Sequence, residues 1–238
     1  MMENIWIYSY NKLTAKSRAE AGKTMYVEKV FWKNPYLTEL TAKVTSVLGS
    51  KVTVDRTIAY PFSGGQESDY GTINGHNIIK AEKQEKQIFY WLEESHGLMA
   101  GDRVDIKIDW GRRYKLMRLH FAAEIILELI SQHFNRPEKI GAHISADKAR
   151  VDFIWQGNIA QAFGWLEEEA ERLISGDLAI HSEFCDSGNE IRYWEIEGFA
   201  KVFCGGTHIK RTGEIGRLHL KRNNIGKGKE RIEIMLGD

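Results

Sequence analysis

Two periodicities divide the chain. Ala42–Leu48 and Lys51–Thr57 carry β-branched residues in partial alternation, and Gly49–Ser50 between them suits a two-residue hairpin turn. Asn74–Gly75 is a second strong hairpin signal. Arg103–Asp109 alternates cleanly, with Val104, Ile106 and Ile108 on one face. Many short strands at close spacing predict a small β-barrel over residues 26–109.

At Asp109–Trp110–Gly111 the period changes. Leu116, Leu119, Ala123, Ile126, Leu127 and Ile130 recur at helical spacing, with Asp109 as cap and Asn135–Arg136–Pro137 as the stop. A second helix is expected from Asn158, with Gln161 completing a capping box. Phe163, Leu166, Ala170, Leu173 and Ile174 form its apolar face, and Gly176 ends it. Strands are expected near 149–155, 191–197, 214–220 and 231–236. Strands followed by helices mixed with strands give an α+β chain in two domains, 26–109 and 110–238, behind an N-terminal extension, 1–25. That extension reads equally as an added leader before Met25 or as a strap packed through Trp6, Ile7 and Tyr8.

Composition narrows the function classes. The 238 residues carry no net charge, so nucleic-acid binding would need a local basic surface. No apolar stretch approaches the length of a membrane span, and no secretory signal is visible. The two cysteines, Cys185 and Cys204, could pair on count alone, but so sparse a set reads as cytoplasmic with a thiol kept free for metal.

The candidate chemistry lies in two pairs of equal spacing, His120-x-x-x-Glu124 and Cys204-Gly-Gly-Thr-His208. On a helix the first spacing places both side chains on one face, one turn apart. The two glycines of the second let the backbone turn tightly and bring thiol and imidazole to one point. Together they offer one His, one Glu, one Cys and one His, a set that suits tetrahedral zinc, and the thiolate argues for zinc over magnesium. An isolated His-x-x-x-Glu is more often an ordinary helix-surface pair. Glu124 is therefore open between a fourth ligand, a general base, and a bystander to a three-ligand site completed by water.

Ser63–Gly64–Gly65–Gln66 is a plain glycine turn or a backbone nest for a ligand, with Gln66 able to donate and accept. From Ile209 to Arg231 eight basic residues face two acidic ones, a local excess of six positive charges. Gly226–Lys227–Gly228–Lys229 within that run reads as a phosphate contact, and Arg112, Arg113, Lys115 and Arg118 form a second basic strip.

Three segments in this order carry a resemblance: Tyr60–Gly71 with its Ser-Gly-Gly-Gln, Leu116–Ile130, and Phe203–Gly216 with its Cys-Gly-Gly-Thr-His. Over roughly residues 26–238 the chain resembles the AlaX-type alanyl-tRNA editing proteins and the editing domain of alanyl-tRNA synthetase. The resemblance implies a zinc-dependent hydrolase, acting in trans on mischarged tRNA, with tRNA for alanine carrying serine or glycine as substrate. It implies metal ligands at His120, Glu124, Cys204 and His208. It implies pocket contacts at Gln66 and Thr207 and substrate contacts at Gly64 and Gly65, to which the basic runs add Arg118, Lys227 and Lys229 as expected substrate contacts. The family pattern has His where this chain has Glu124, and usually Thr where it has Phe121. A zinc-stabilised tRNA-binding module without catalysis is the other reading that the same residues allow.

Overall fold

The computed structural model describes residues 26–237, so both readings of the N-terminal extension fall outside the described residues. The first half is made of short strands: β1 (Glu28–Lys29), the helical turn α1 (Val30–Lys33), β2 (Glu39–Leu48), β3 (Lys51–Val54), β4 (Arg56–Thr57), β5 (Gly71–Ile73), β6 (His76–Asn77), β7 (Lys80–Gln84), β8 (Gln87–Trp91) and β9 (Arg103–Ile108). Both predicted hairpins are present. Asn74 and Gly75 hold positive φ, 52° and 84°, the conformation a type I′ turn demands. In β9, Val104, Ile106 and Ile108 are buried and the residues between them exposed.

The expected barrel is not closed. Seven strands form one sheet in the order β6-β5-β9-β2-β3-β8-β7. The long strand β2 pairs with β9 through Glu39–Lys43 and with β3 through Val44–Leu48, and a register shift at Val44–Ser46 bends it between the two. The chain then crosses from edge strand β6 to the opposite edge strand β7 through Ile78 and Ile79 alone. The sheet therefore curls until its edges approach, yet no ladder joins β6 to β7 among the described residues. A two-residue β6 is too short to complete the ring.

The second half begins with α2 (Trp110–His133), capped by the Asp109 side chain, which accepts from the Arg112 amide at 3.0 Å. The predicted apolar face is buried apart from Leu127, which is half-buried, but so are Met117, His120, Phe121, Ala122, Ile125 and Leu129. A helix buried on so many sides is a central element, not a surface one. Around it lie β10 (Lys139–Ile144), β11 (Ala149–Ile154), α3 (Phe163–Ser175), β12 (His181–Asp186), β13 (Ile191–Ile196), β14 (Ala200–Phe203), β15 (Leu218–Gly226) and β16 (Lys229–Leu236). They form a sheet β10-β11-β16-β15 and a smaller sheet β12-β13-β14.

Asn158 caps a 3-10 turn, accepting from the Ala160 amide, and α3 follows that turn, so the expected capping box with Gln161 is replaced by a tighter start. The strand expected at 214–220 begins later, because Thr212–Ile215 is itself a 3-10 turn. The architecture is α+β, and its buried apolar residues gather in two clusters, Val27–Ile108 and Leu116–Ile234.

Candidate metal centre

The glycine loop from the first half docks on the second. Ser63 and Gln66 close a tight turn through reciprocal backbone hydrogen bonds of 3.1 and 3.0 Å. The Ile144 amide then donates to the Gly65 carbonyl at 2.8 Å, and Glu67 returns an amide to the Ile144 carbonyl at 3.0 Å. The loop thus extends the β10 edge. Gly65 has φ +88°, and a Cβ there would come within 2.8 Å of the Ala142 carbonyl oxygen, so only glycine fits. Gly64 is exposed.

A buried ion pair holds this loop against α2. Arg113 and Asp69 are each fully buried and doubly bonded, Nε to Oδ1 at 2.8 Å and Nη2 to Oδ2. Arg113 also donates to the carbonyls of Ile58 and Pro35, while Asp69 accepts the Tyr60 amide at 2.6 Å. The guanidinium sits two helical turns before His120, so the pair sets the distance between loop and helix.

That docking brings Gln66 to His120. Gln66 Oε1 lies 2.7 Å from His120 Nδ1, leaving His120 Nε2 directed at Cys204 Sγ, 3.4 Å away. His208 Nε2 meets the same sulfur at 3.3 Å, and its Nδ1 lies 2.9 Å from Ser182 Oγ. One ligand atom from each of His120, Cys204 and His208 lies within 4.8 Å of the others. Zinc–nitrogen bonds of about 2.0–2.1 Å and zinc–sulfur bonds of about 2.3 Å give tetrahedral edges of about 3.3–3.6 Å, so both sulfur–nitrogen separations fit such an ion. Each imidazole also has its second nitrogen engaged, the arrangement that fixes a ligating tautomer. Cys185 and Cys204 are both free thiols, so the disulfide that the cysteine count allowed is not formed.

Glu124 stands beside this triad and outside its mutual grouping. Its Oε1 is 3.3 Å from His120 Nε2 and 3.5 Å from Cys204 Sγ, and its Oε2 accepts the Trp194 indole N–H at 3.0 Å. Phe121 is fully buried, edge-on to Trp194 and to His208, so it packs behind the triad.

The Cys204–His208 loop is shaped by residues that sequence reasoning missed. Trp32 donates to the Gly205 carbonyl at 2.8 Å. Arg192 accepts the Cys204 amide on its own carbonyl at 3.0 Å and donates through Nη1 to the Gly206 carbonyl at 3.1 Å. A Cβ on Gly206 would overlap the His120 ring, which explains the second glycine of the motif. Alternation along 191–197 would have placed Arg192 on the same face as Trp194 and Ile196, and a charged residue on an apolar strand face is a usable signal.

Thr207 and Gln66 are both buried and bonded to each other, Gln66 Nε2 donating to Thr207 Oγ1 at 2.9 Å. The remaining sequence candidates are not drawn to the triad. Arg118 donates through Nε and Nη2 to the Ile215 carbonyl. Lys227 and Lys229 lie at the β15–β16 turn. Lys229 pairs with Ile154, whereas Ile234 pairs with Ala149 at the end of β11 that faces Ile144, so the turn is about 17 Å along the strand from the glycine loop. Much of the basic excess is internally neutralised: Arg211 pairs with Asp177, Arg222 with Glu230, Arg231 with Asp152 and Arg112 with Glu67.

The electrostatics suit a cation. Burial opposes charge on His120, but the Cys204 sulfur and the Glu124 carboxylate outweigh it and push the imidazole up to about 10. Burial opposes ionisation of Glu124, yet His120 and the indole N–H hold it down at about 2. Burial, then the neighbouring His120, drives His208 well below the usual imidazole range. Without a cation the cluster therefore keeps a proton on His120 below about pH 10, and a metal ion must displace it. Apparent zinc affinity, measured by chelator competition, is expected to rise about tenfold per pH unit between about pH 6 and 9. A pH-independent affinity would show that no proton is displaced.

Comparison with known proteins places these features in a family. Residues 191–233 match the domain described as the second additional domain of threonyl and alanyl tRNA synthetases. The chain is 32% identical over 220 residues to the alanyl-tRNA editing protein AlaX-M of Pyrococcus horikoshii, covering 87% of this chain and 97% of that protein. It is 33% identical over 242 residues to the protein of the same name from Methanosarcina barkeri, covering 89% and 99%. It is also 30% identical over 232 residues to the alanine–tRNA ligase of Methanococcus aeolicus, but spans only 26% of that longer chain. With near-complete coverage of the free-standing relatives, the chain belongs to the AlaX-type family of alanyl-tRNA editing proteins.

Proposed function

We propose that this protein hydrolyses the ester joining an amino acid to the terminal adenosine of mischarged tRNA, acting in trans, with tRNA for alanine carrying serine or glycine as substrate. The observation that carries the reading is the His120–Cys204–His208 triad, assembled where the glycine loop meets α2 in a chain that matches an editing protein over 87% of its own length. Correction of this kind exists because binding alone separates small amino acids poorly.

His120, Cys204 and His208 would hold zinc, with Glu124 as the fourth ligand. Bound there, zinc supplies positive charge that polarises an ester carbonyl or acidifies a water. The protein's own groups prepare that site. Gln66 orients His120 and is itself steadied by Thr207, so both act as positioning residues, with their polar ends already used. Gly64 and Gly65 form the loop edge over which the acyl end would lie. Arg118 is committed to the Ile215 carbonyl and is left out of the proposed contact set.

A tRNA is far larger than the separation between the triad and the β15–β16 turn, so Lys227 and Lys229 serve as phosphate contacts remote from the ester. Replacing both with Ala is expected to weaken tRNA binding and to reduce the slope of log affinity against log salt by about 0.7–0.9 per lost contact. Unchanged affinity and slope in a salt titration would reduce this turn to a solvated corner.

One observation favours the other reading, a zinc-stabilised tRNA-binding module: Glu124 Oε1 stands 3.3 Å from His120 Nε2 and 3.5 Å from Cys204 Sγ. If Glu124 ligates, four protein ligands close the coordination shell, as in structural zinc sites. Single-turnover deacylation of mischarged tRNA separates the two, because only the hydrolase releases amino acid faster than spontaneous hydrolysis.

A further inference from the structure

Glu124 and Trp194 are joined by one hydrogen bond that decides which carboxylate oxygen faces the triad. Trp194 has no exposed surface, and its ring is packed edge-on to Phe121 and stacked on Phe199. A buried indole N–H needs an acceptor, and Glu124 Oε2 supplies it at 3.0 Å. Oε1 is thereby left toward the His120–Cys204 edge, at 3.3 and 3.5 Å from the two ligand atoms. Those separations match edges of about 3.3–3.5 Å for oxygen, nitrogen and sulfur around a tetrahedral zinc.

The strand register extends the pattern. Ser182 of β12 is paired directly with Trp194 of β13. Ser182 lies on His208 Nδ1 while Trp194 lies on Glu124 Oε2, so one cross-strand pair serves two of the four groups. Gln66 serves a third, His120, from the glycine loop of the first half.

We propose that Trp194 is the positioning residue for a carboxylate ligand: its N–H fixes Glu124 so that only Oε1 can reach the metal. This rests on the zinc reading given above, and it makes a prediction about an isosteric change. In Glu124→Gln the amide has one acceptor oxygen and one donor nitrogen. The buried indole N–H captures that oxygen, since the opposite orientation would set two donors face to face. The amide nitrogen then points at the triad, where it cannot ligate.

The test is zinc affinity by chelator competition at fixed pH, on folded full-length chain, together with the visible spectrum of the cobalt-substituted protein. Glu124→Gln is expected to bind zinc about 10- to 100-fold more weakly than the unaltered chain and no better than Glu124→Ala. Adding Trp194→Phe to Glu124→Gln frees the amide to turn its oxygen to the metal, so the double variant should bind more tightly than Glu124→Gln alone. In the Glu124→His background, Trp194→Phe should change affinity less than about twofold, because imidazole does not use the indole. The cobalt spectrum should change between the unaltered chain and Glu124→Gln, reporting the lost oxygen ligand.

Zinc affinity in Glu124→Gln equal to that of the unaltered chain overturns the proposal, as does an equal loss from Trp194→Phe in every background, which would mean packing alone. If Trp194→Phe fails to fold, the comparison of Glu124→Gln with Glu124→Ala still decides. None of these readouts uses tRNA, so a failure here is distinguishable from a failure of the hydrolase reading.

Discussion

Arg113→Met is expected to destabilise the protein by about 3–5 kcal/mol, because it strips the partner from a carboxylate with no exposed side-chain surface. The guanidinium makes every one of its hydrogen bonds inside the protein: to Asp69, Ile58 and Pro35. Methionine matches its bulk but leaves Asp69 charged and buried, able to accept only from the Tyr60 amide. Folding then requires either an unpaired charge or a protonated Asp69. The double variant Arg113→Met/Asp69→Leu should recover a large part of the loss, since it removes both charges together. Urea denaturation read by tryptophan fluorescence measures both. A single variant within about 0.5 kcal/mol of the unaltered chain would show that loop and helix are held by packing, not by this pair.

Cys204→Ala and His208→Ala are each expected to cut zinc affinity by roughly a hundredfold or more. Structural zinc sites bind with about 10–16 kcal/mol over four ligands, so one ligand carries about 2.5–4 kcal/mol. Cys204 has the larger effect, because its sulfur is the atom that both His120 and His208 approach, at 3.4 and 3.3 Å. Neither residue belongs to a helix or a strand, and the flanking strands keep their partners, so the fold should survive either change. Metal analysis of the purified variants by mass spectrometry, with circular dichroism as the control, gives the answer. Full zinc retention in the Cys204→Ala/His208→Ala double variant would place the metal elsewhere or nowhere.

How much of this was legible in the sequence follows from the range of the forces involved. The α2 boundaries were readable because capping and helix-stop chemistry are local: Asp109 caps and the helix ends just before Asn135–Arg136–Pro137. The Gly49–Ser50 and Asn74–Gly75 turns were readable for the same reason. The Cys204–His208 pair was readable because a tight glycine spacing dictates that two side chains converge.

What was not legible depends on contacts between distant segments. Barrel closure hinges on whether two edge strands far apart in the sheet pair, and a two-residue β6 gives no local sign of failing to do so. Strands β10, β12 and β14 were missed because their outward residues are partly apolar or their runs short, as with exposed Phe203 and Ile140. The contact of Gln66 with His120, 54 positions away, has no local sign, because only the docking of loop on β10 brings them together. The lysine-rich turn adjoined the site in sequence alone; antiparallel pairing of β15 with β16 carries it to the far end of the sheet.

The most direct test of the central claim is single-turnover deacylation of serine-charged alanine tRNA by the zinc-loaded protein, run beside the chelated protein and Cys204→Ala. The account predicts amino-acid release well above the spontaneous rate with the loaded chain and a return to that rate in both controls. Tight tRNA binding with release no faster than spontaneous hydrolysis would contradict it.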